Sequence, residues 1–150
     1  MNTILIATDG SDAARHAVEF GLDLAAEQHA RPVLAHVAPA VDVLATGGFG
    51  LTASQPHELT DYDLSPLEEA RALAAERGIE AETEMLRGET VDELVAYADT
   101  IDADLIVVGS RGHGSLASAV LGSVSRGVLR EARRPVLVVR GTPVPAPVAG

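Results

Sequence analysis

The sequence predicts an α/β protein: an open, doubly wound parallel sheet with helices on both faces. Two observations predict it. Short apolar segments alternate along the chain with segments of helical periodicity, the pattern of repeated strand–helix–strand units. The apolar segments are also nearly continuous, as in Ile4-Leu5-Ile6 and Leu105-Ile106-Val107-Val108. Strands buried on both faces read that way, whereas half-exposed strands alternate. Right-handed crossovers then wind the helices to both sides of one sheet.

Residues 3–8 read as a buried strand that ends at Asp9-Gly10-Ser11-Asp12, where Ser11 or Asp12 can cap the next helix. Over 14–28, Ala14, Ala17, Val18, Leu22, Leu24 and Ala25 recur at mainly helical spacing. Residues 32–37 form a second apolar strand. Ser65 reads as the cap of a second helix, with Pro66 at its first position and Glu68 in a capping-box place. Gly78 closes that helix as its C-terminal glycine. Residues 79–86 alternate, with Glu80, Glu82 and Glu84 on one face, as expected of a strand at or near a sheet edge. Residues 89–100 read as helix, 105–109 as buried strand, 117–133 as helix and 135–140 as a last buried strand. Pro135 is tolerable at the first residue of that strand.

Two segments stand outside this scheme. Residues 38–64 read as one long loop containing Gly47-Gly48-Phe49-Gly50 and Gln55-Pro56. A loop of that length is functional or disordered. It follows the second strand, so a lid over a site and plain disorder are both open. Residues 142–150, rich in proline, read as a flexible tail, which leaves 1–141 as a single domain.

Composition narrows the function. The chain of 150 residues has 22 carboxylates against 11 basic residues, for a net charge of −11. Every basic residue is arginine. An acidic surface argues against non-specific binding to nucleic acid or anionic membrane. Acidic excess without lysine resembles proteins of salt-loving microbes; an acidic mesophile protein with biased codon usage is the plainer alternative. With no cysteine, disulfides, thiol catalysis and Cys-ligated metals are excluded. No apolar run reaches the length of a membrane span. Met1-Asn2-Thr3 leads straight into Ile4-Leu5-Ile6 without a basic leader, so a cytoplasmic location is expected.

In open α/β sheets ligands bind beyond the carboxyl ends of the strands, where strand order reverses. Three loops fall there: the one at Asp9 to Ser11, the one from Val37 onward, and the one from Gly109 to Ser115. The last is the most informative. Val107-Val108-Gly109-Ser110-Arg111-Gly112-His113-Gly114 is an apolar strand running into a glycine-rich loop, and Gly122-Ser123-Val124-Ser125 follows. Glycines let backbone approach a ligand closely. Free N–H groups and the dipole at a helix N-terminus favour phosphate. Ser123 and Ser125 add hydroxyl donors. A tight strand-to-helix turn with no ligand is the ordinary alternative for Gly112 and Gly114 alone. Whether residues 113–121 wrap as a loop or belong to the helix stays open, because the period of 117–121 fits either.

The run is not a Walker A loop, since no lysine exists in the chain, and it lacks the third glycine of the Rossmann fingerprint. Gly109-x2-Gly112-x9-Gly122-Ser123, followed by Val124-Ser125, instead resembles the nucleotide-binding signature of the universal stress protein family. The resemblance extends to Ile4-Leu5-Ile6-Ala7-Thr8-Asp9-Gly10-Ser11, to His36-Val37, to Asp104 through Gly112, and to Arg134-Pro135-Val136-Leu137-Val138-Val139. It implies a five-stranded parallel sheet of order 3-2-1-4-5. It also implies ATP binding, because this sequence keeps the whole motif.

Carried over position by position, the resemblance implies that Ala7 and Thr8 line the base pocket. Asp9 would lie near ribose and a metal-bridged phosphate, with Mg²⁺ or Mn²⁺ as the ion; a turn residue capping the first helix is its plainer role. Val37 would offer backbone groups to the adenine edge, and Val108 would pack on the nucleoside. Gly109 and Gly112 would admit ribose and phosphates, and Gly122, Ser123, Val124 and Ser125 would hold the phosphate chain. Arg111 and His113 are the loop's cationic candidates for neutralising phosphate, against a solvated loop tip. Arg126, Arg130, Arg133 and Arg134 read first as a solvated face. His16, His29, His36 and His57 show no metal-ligand spacing and read as structural or solvent-facing.

No catalytic constellation is apparent, since Ser11, Ser110 and Ser115 lack a paired base. Three functions stay in contention: an ATP-binding regulatory or stress-response module, a slow ATPase or autophosphorylating protein, and a structural partner-binding module with a vestigial pocket. A homodimer through strand 135–140 is expected, because that apolar edge needs cover.

Overall fold

The computed structural model describes residues 1–46, 51–111 and 121–141. In chain order its elements are β1 (Thr3–Ala7), α1 (Asp12–Gln28), β2 (Arg31–Ala38), β3 (Val41–Thr46), β4 (Leu51–Pro56) and α2 (Asp61–Glu76). There follow β5 (Glu82–Arg87), α3 (Thr90–Thr100), β6 (Leu105–Gly109), α4 (Ser123–Glu131) and β7 (Val136–Val139). Five strands form one sheet of order β5-β2-β1-β6-β7, every pair parallel. Counting only these strands, that is the order 3-2-1-4-5.

The continuous apolar strands β1, β2 and β6 are buried as their pattern requires; β7, read from its sequence as a buried strand, is only half-buried because it lies at the sheet edge. Ile4, Leu5 and Ile6 are fully enclosed, and their alternating side chains feed two cores. Ile4 and Ile6 meet Leu34 and Val107 under α1 and α2. Leu5 joins Val33, Ala35, Ile106 and Val108 under α3 and α4. Ser11 caps α1, its hydroxyl accepting the Ala14 N–H at 3.2 Å. Gly78 closes α2 in the left-handed region at φ +65°, and the Ile79 N–H donates to the Ala74 carbonyl at 2.9 Å.

Three expectations are corrected. Residues 38–64 are not one long loop: β3 and β4 form an antiparallel ribbon in which Val41 faces Pro56 and Thr46 faces Leu51. Helix α2 starts at Asp61, not at Pro66. Its cap is Thr60, whose N–H and Oγ–H both donate to the Asp63 carboxylate, at 2.9 and 3.1 Å. Pro66 therefore sits inside the helix. It lacks an N–H there, so α2 forgoes one internal hydrogen bond. The last helix spans Ser123–Glu131, capped by Gly122, instead of starting at 117. Leu121 lies outside it. The glycines Gly47 to Gly50, the segment 112–120 with its loop-or-helix question, and the tail 142–150 fall outside the described residues.

Candidate functional site

The sheet order reverses between β1 and β6: β2 and β5 lie on one side of β1, β6 and β7 on the other. At the carboxyl end of that reversal is an open cleft of about 200 Å³. Its walls include Ala7, Thr8 and Asp9 after β1, Val37 at the end of β2, and Val108, Gly109 and Arg111 at the end of β6. Gly122, Ser123, Val124 and Ser125 at the start of α4 close it. Of the loop residues singled out in the sequence, Gly112, His113, Gly114 and Ser115 lie outside the described residues.

Each wall has a local cause. Asp9 Oδ1 accepts the Ser11 N–H at 2.9 Å and the Thr8 hydroxyl oxygen accepts the Gly10 N–H at 3.2 Å. These turn bonds fix the loop between β1 and α1, so Asp9 shapes the turn as well as facing the cleft. Gly109 is required by packing. A Cβ there would lie 2.9 Å from the Ala13 carbonyl carbon and oxygen. Only glycine lets the first turn of α1 rest on the end of β6.

Val37 contributes backbone. The Thr8 N–H donates to the Ala35 carbonyl, and the Gly88 N–H donates to the Ala38 carbonyl. Peptide groups of successive strand residues face opposite neighbours. The Val37 N–H and C=O therefore turn toward the β1 side, beyond the last β1 residue. Unsheeted backbone at a strand end can pair with the edge of a planar ring.

The start of α4 faces the cleft with its first N–H groups. Its cap, Gly122, has no side chain to satisfy them. The Gly122 N–H itself donates to the Ser110 carbonyl at 2.7 Å, which ties α4 to the end of β6. Ser125 is nearly fully buried. Its hydroxyl is directed at two carbonyls, Gly122 at 2.9 Å and Ser110 at 3.1 Å, so what it can offer a ligand is backbone N–H. Ser123 is exposed at the helix start and keeps its hydroxyl for solvent or ligand.

The sequence reading missed part of the wall. His36, read as structural or solvent-facing, lines the cleft. A carbonyl can only accept, so the 2.8 Å contact between His36 Nδ1 and the Thr8 carbonyl places the proton on Nδ1. Thr90 and Leu94, one turn apart on α3, and Ala14 and Ala35 also line it. The spacing of Thr90 and Leu94 marked one helix face; nothing in the sequence said which loop that face meets.

His57 is likewise engaged. Its Nδ1 lies 2.7 Å from Asp42 on β3 and its Nε2 lies 2.8 Å from Asp63 on α2. Hydrogen bonds to Asp63 and then Asp42 raise its pKa above 6.5. The Asp63 carboxyl is held below its ordinary value by the Thr60 N–H and then by His57. Among the described residues no cluster of three His, Cys, Asp or Glu could hold a metal ion by itself.

The sheet order and the cleft define an open doubly wound α/β protein with a crevice at its topological switch point. The chain belongs to the universal stress protein family, whose family model matches residues 1–140. It is 37% identical over 146 residues to a universal stress protein of Bacillus subtilis, covering 93% of this chain and 99% of that one. It is 38% identical over 141 residues to one of Methanocaldococcus jannaschii, covering 91% and 81%. Among solved structures, a universal stress protein in complex with cAMP superposes with a TM-score of 0.71 at 30% identity, over 94% of this chain and 98% of that one. One of Archaeoglobus fulgidus in complex with dAMP superposes at 0.62 with 25% identity, over 93% and 97%.

Proposed function

We propose that this protein binds an adenine nucleotide in the cleft between β1, β6 and α4, that the nucleotide is ATP, and that binding sets the state of a regulatory stress-response module. The observation that carries the reading is the start of α4. Its leading N–H groups open onto the cleft with no capping side chain, in a chain without lysine. Phosphate there is held by backbone N–H groups, the Ser123 hydroxyl and the helix dipole. The base lies against Ala7, Thr8 and Val37, with the Val37 peptide groups at its edge. The nucleoside packs on Val108 and Gly109, and Arg111 neutralises phosphate charge. The cAMP and dAMP complexes of two relatives support the adenine nucleotide as the ligand class.

A divalent ion fits this donor set only in company with the ligand. Asp9 is a single carboxylate, so Mg²⁺ or Mn²⁺ would complete its oxygen shell from the phosphates and water. Asp9 would orient that ion and, through the Ser11 N–H, keep the β1–α1 turn in place. We further propose a homodimer formed through β7, which pairs with β6 on one side only, in a cytoplasm of high salt.

The test is isothermal titration of the folded protein with ATP and Mg²⁺, at low and molar KCl, alongside AMP and cAMP. ATP binding tighter than AMP supports the triphosphate. Absence of binding by any adenine nucleotide overturns the reading.

A further inference from the structure

Charge is segregated along this chain in a way that the nucleotide cleft uses only through Arg111. The first 104 residues hold 21 carboxylates and five arginines; residues 105–150 hold six arginines and one carboxylate, Glu131. In the acidic part the arginines are engaged. Arg15 pairs with Glu19, Arg77 with Asp23, and Arg31 with Glu82. Arg71 donates to the Thr83 hydroxyl, and Arg87 donates to the Pro39 and His57 carbonyls. In the basic part Arg134 is held by Asp99 and Asp102, but the outer face of α4 is different.

Arg126, Leu129 and Arg130 fall within about 100° of the helix circumference at 3.6 residues per turn, and Arg133 follows just past the helix end. All four are exposed, with Leu129 at 45%. The opposite face, Ser125 and Val128, is buried. Arg130 meets only its neighbour Glu131, at 3.2 Å in the open. Arg126 and Arg133 have no carboxylate partner among the described residues. In a chain with twice as many carboxylates as arginines, an arginine stripe whose one ion pair among the described residues is an exposed contact with a sequence neighbour is a face kept for an external partner.

We propose that the outer face of α4 is a docking surface for an acidic protein segment that carries an apolar side chain. Guanidinium groups one helical turn apart match carboxylates in bidentate pairs, and Leu129 supplies an apolar contact between them. The rest of the molecule selects the size of the partner. A long polyanion that ran off α4 would meet the acidic remainder of the surface, whereas a short acidic segment meets only the stripe.

The test is fluorescence anisotropy with the labelled peptide Glu-Glu-Leu-Glu-Glu-Leu-Glu-Glu and the whole protein, at rising KCl. The expected result is binding that weakens with salt. It falls about tenfold or more in the Arg126→Gln/Arg130→Gln/Arg133→Gln variant, since each exposed pair contributes little alone. It falls by a smaller factor in Leu129→Ser, and it is absent for the peptide with Gln in place of Glu. Glutamine is a good helix former at exposed positions, and circular dichroism checks that α4 persists. Failure of the wild-type protein to bind, or unchanged binding by the triple variant, overturns the proposal. So does displacement of the peptide by a single-stranded oligonucleotide of equal charge, which assigns a general polyanion surface. Concentration-dependent self-association that the triple variant abolishes also overturns it, because the occupant is then a second copy.

Discussion

Gly109 answers to two neighbours at once. It lines the cleft, and the first turn of α1 rests so closely on it that a Cβ would lie 2.9 Å from Ala13 backbone. Backbone cannot rotate away as a side-chain end can. Gly109→Ala therefore costs about 1–3 kcal/mol of stability by overpacking. It also shifts the turn that carries Asp9 and Ser11, so nucleotide affinity falls in the same variant. Urea unfolding and ATP titration measure the two effects, and a full-stability Gly109→Ala protein would contradict the packing argument. His57 is the second residue with a readable consequence. Its folded pKa is raised above the unfolded 6.5 by Asp63 and Asp42, so the ion pairs stabilise the fold below that pH. The contribution is lost as pH rises through the raised value. Asp63 works in the opposite sense: its pKa is lowered below 3.8, so its contribution holds above that value and fades as pH falls through the depressed one. His57→Gln should lower the urea midpoint at about pH 5.5 and change it much less at about pH 9. An equal loss at both values would assign His57 a purely neutral, packing role.

At the scale of elements, α4 separates stability from binding. Its first residue, Ser123, is exposed at a helix start that has no acidic residue in its first turn. Ser123→Glu places a carboxylate against the positive end of the helix dipole and stabilises α4 by about 0.3–1 kcal/mol. The same carboxylate stands where phosphate is proposed to bind. Thermal unfolding without ligand should move up slightly, while titration shows ATP affinity falling by about tenfold or more, as like charges in a shared site require. Unchanged affinity would move the phosphates away from α4. Elements also show where the sequence was readable. The central strands of the main sheet were legible because burial on both faces leaves a continuous apolar run, as in β1 and β6, and the edge strand β5 was legible by its alternation. The ribbon β3–β4 was not. Val41 and Val43 are 52% and 70% exposed, so no apolar face had to be written into it, and Gly47 to Gly50 and Pro56 read as loop. The start of α2 was misplaced because two capping patterns compete, Thr60-x-x-Asp63 and Ser65-x-x-Glu68. The first prevails through Asp63, which binds Thr60 and also His57 from outside the helix. That second contact is tertiary and leaves no local trace. In the cleft, the glycines and serines were visible as a motif. His36, Thr90 and Leu94 were not, since they reach the cleft only through sheet register and helix docking.

At the scale of the molecule, the −11 net charge opposes compactness, and it is unevenly spread. The exposed edge strand β5 and its approach carry Glu80, Glu82 and Glu84, and among the described residues only Arg31 pairs with them, at 3.5 Å from Glu82. The local negative potential is felt by Tyr97, whose pKa is raised by burial first and then by Glu84 and Glu82. Such repulsion is long-ranged where the Debye length is about 10 Å, near 0.1 M salt, and nearly gone where it is about 3 Å, near 1 M. The melting temperature should therefore climb steeply with KCl over that interval and flatten above it. KCl promotes apolar burial only weakly compared with sulfate, so the steep part reports charge screening. Glu80→Gln/Glu84→Gln isolates the cause. It removes two charges from the acidic edge without touching the Arg31–Glu82 pair or the cleft. Differential scanning calorimetry should find that variant more stable than the parent at low salt and equal to it at molar salt. A melting temperature that ignores KCl, or a variant gain that persists undiminished at high salt, would mean that carboxylate repulsion does not limit this fold.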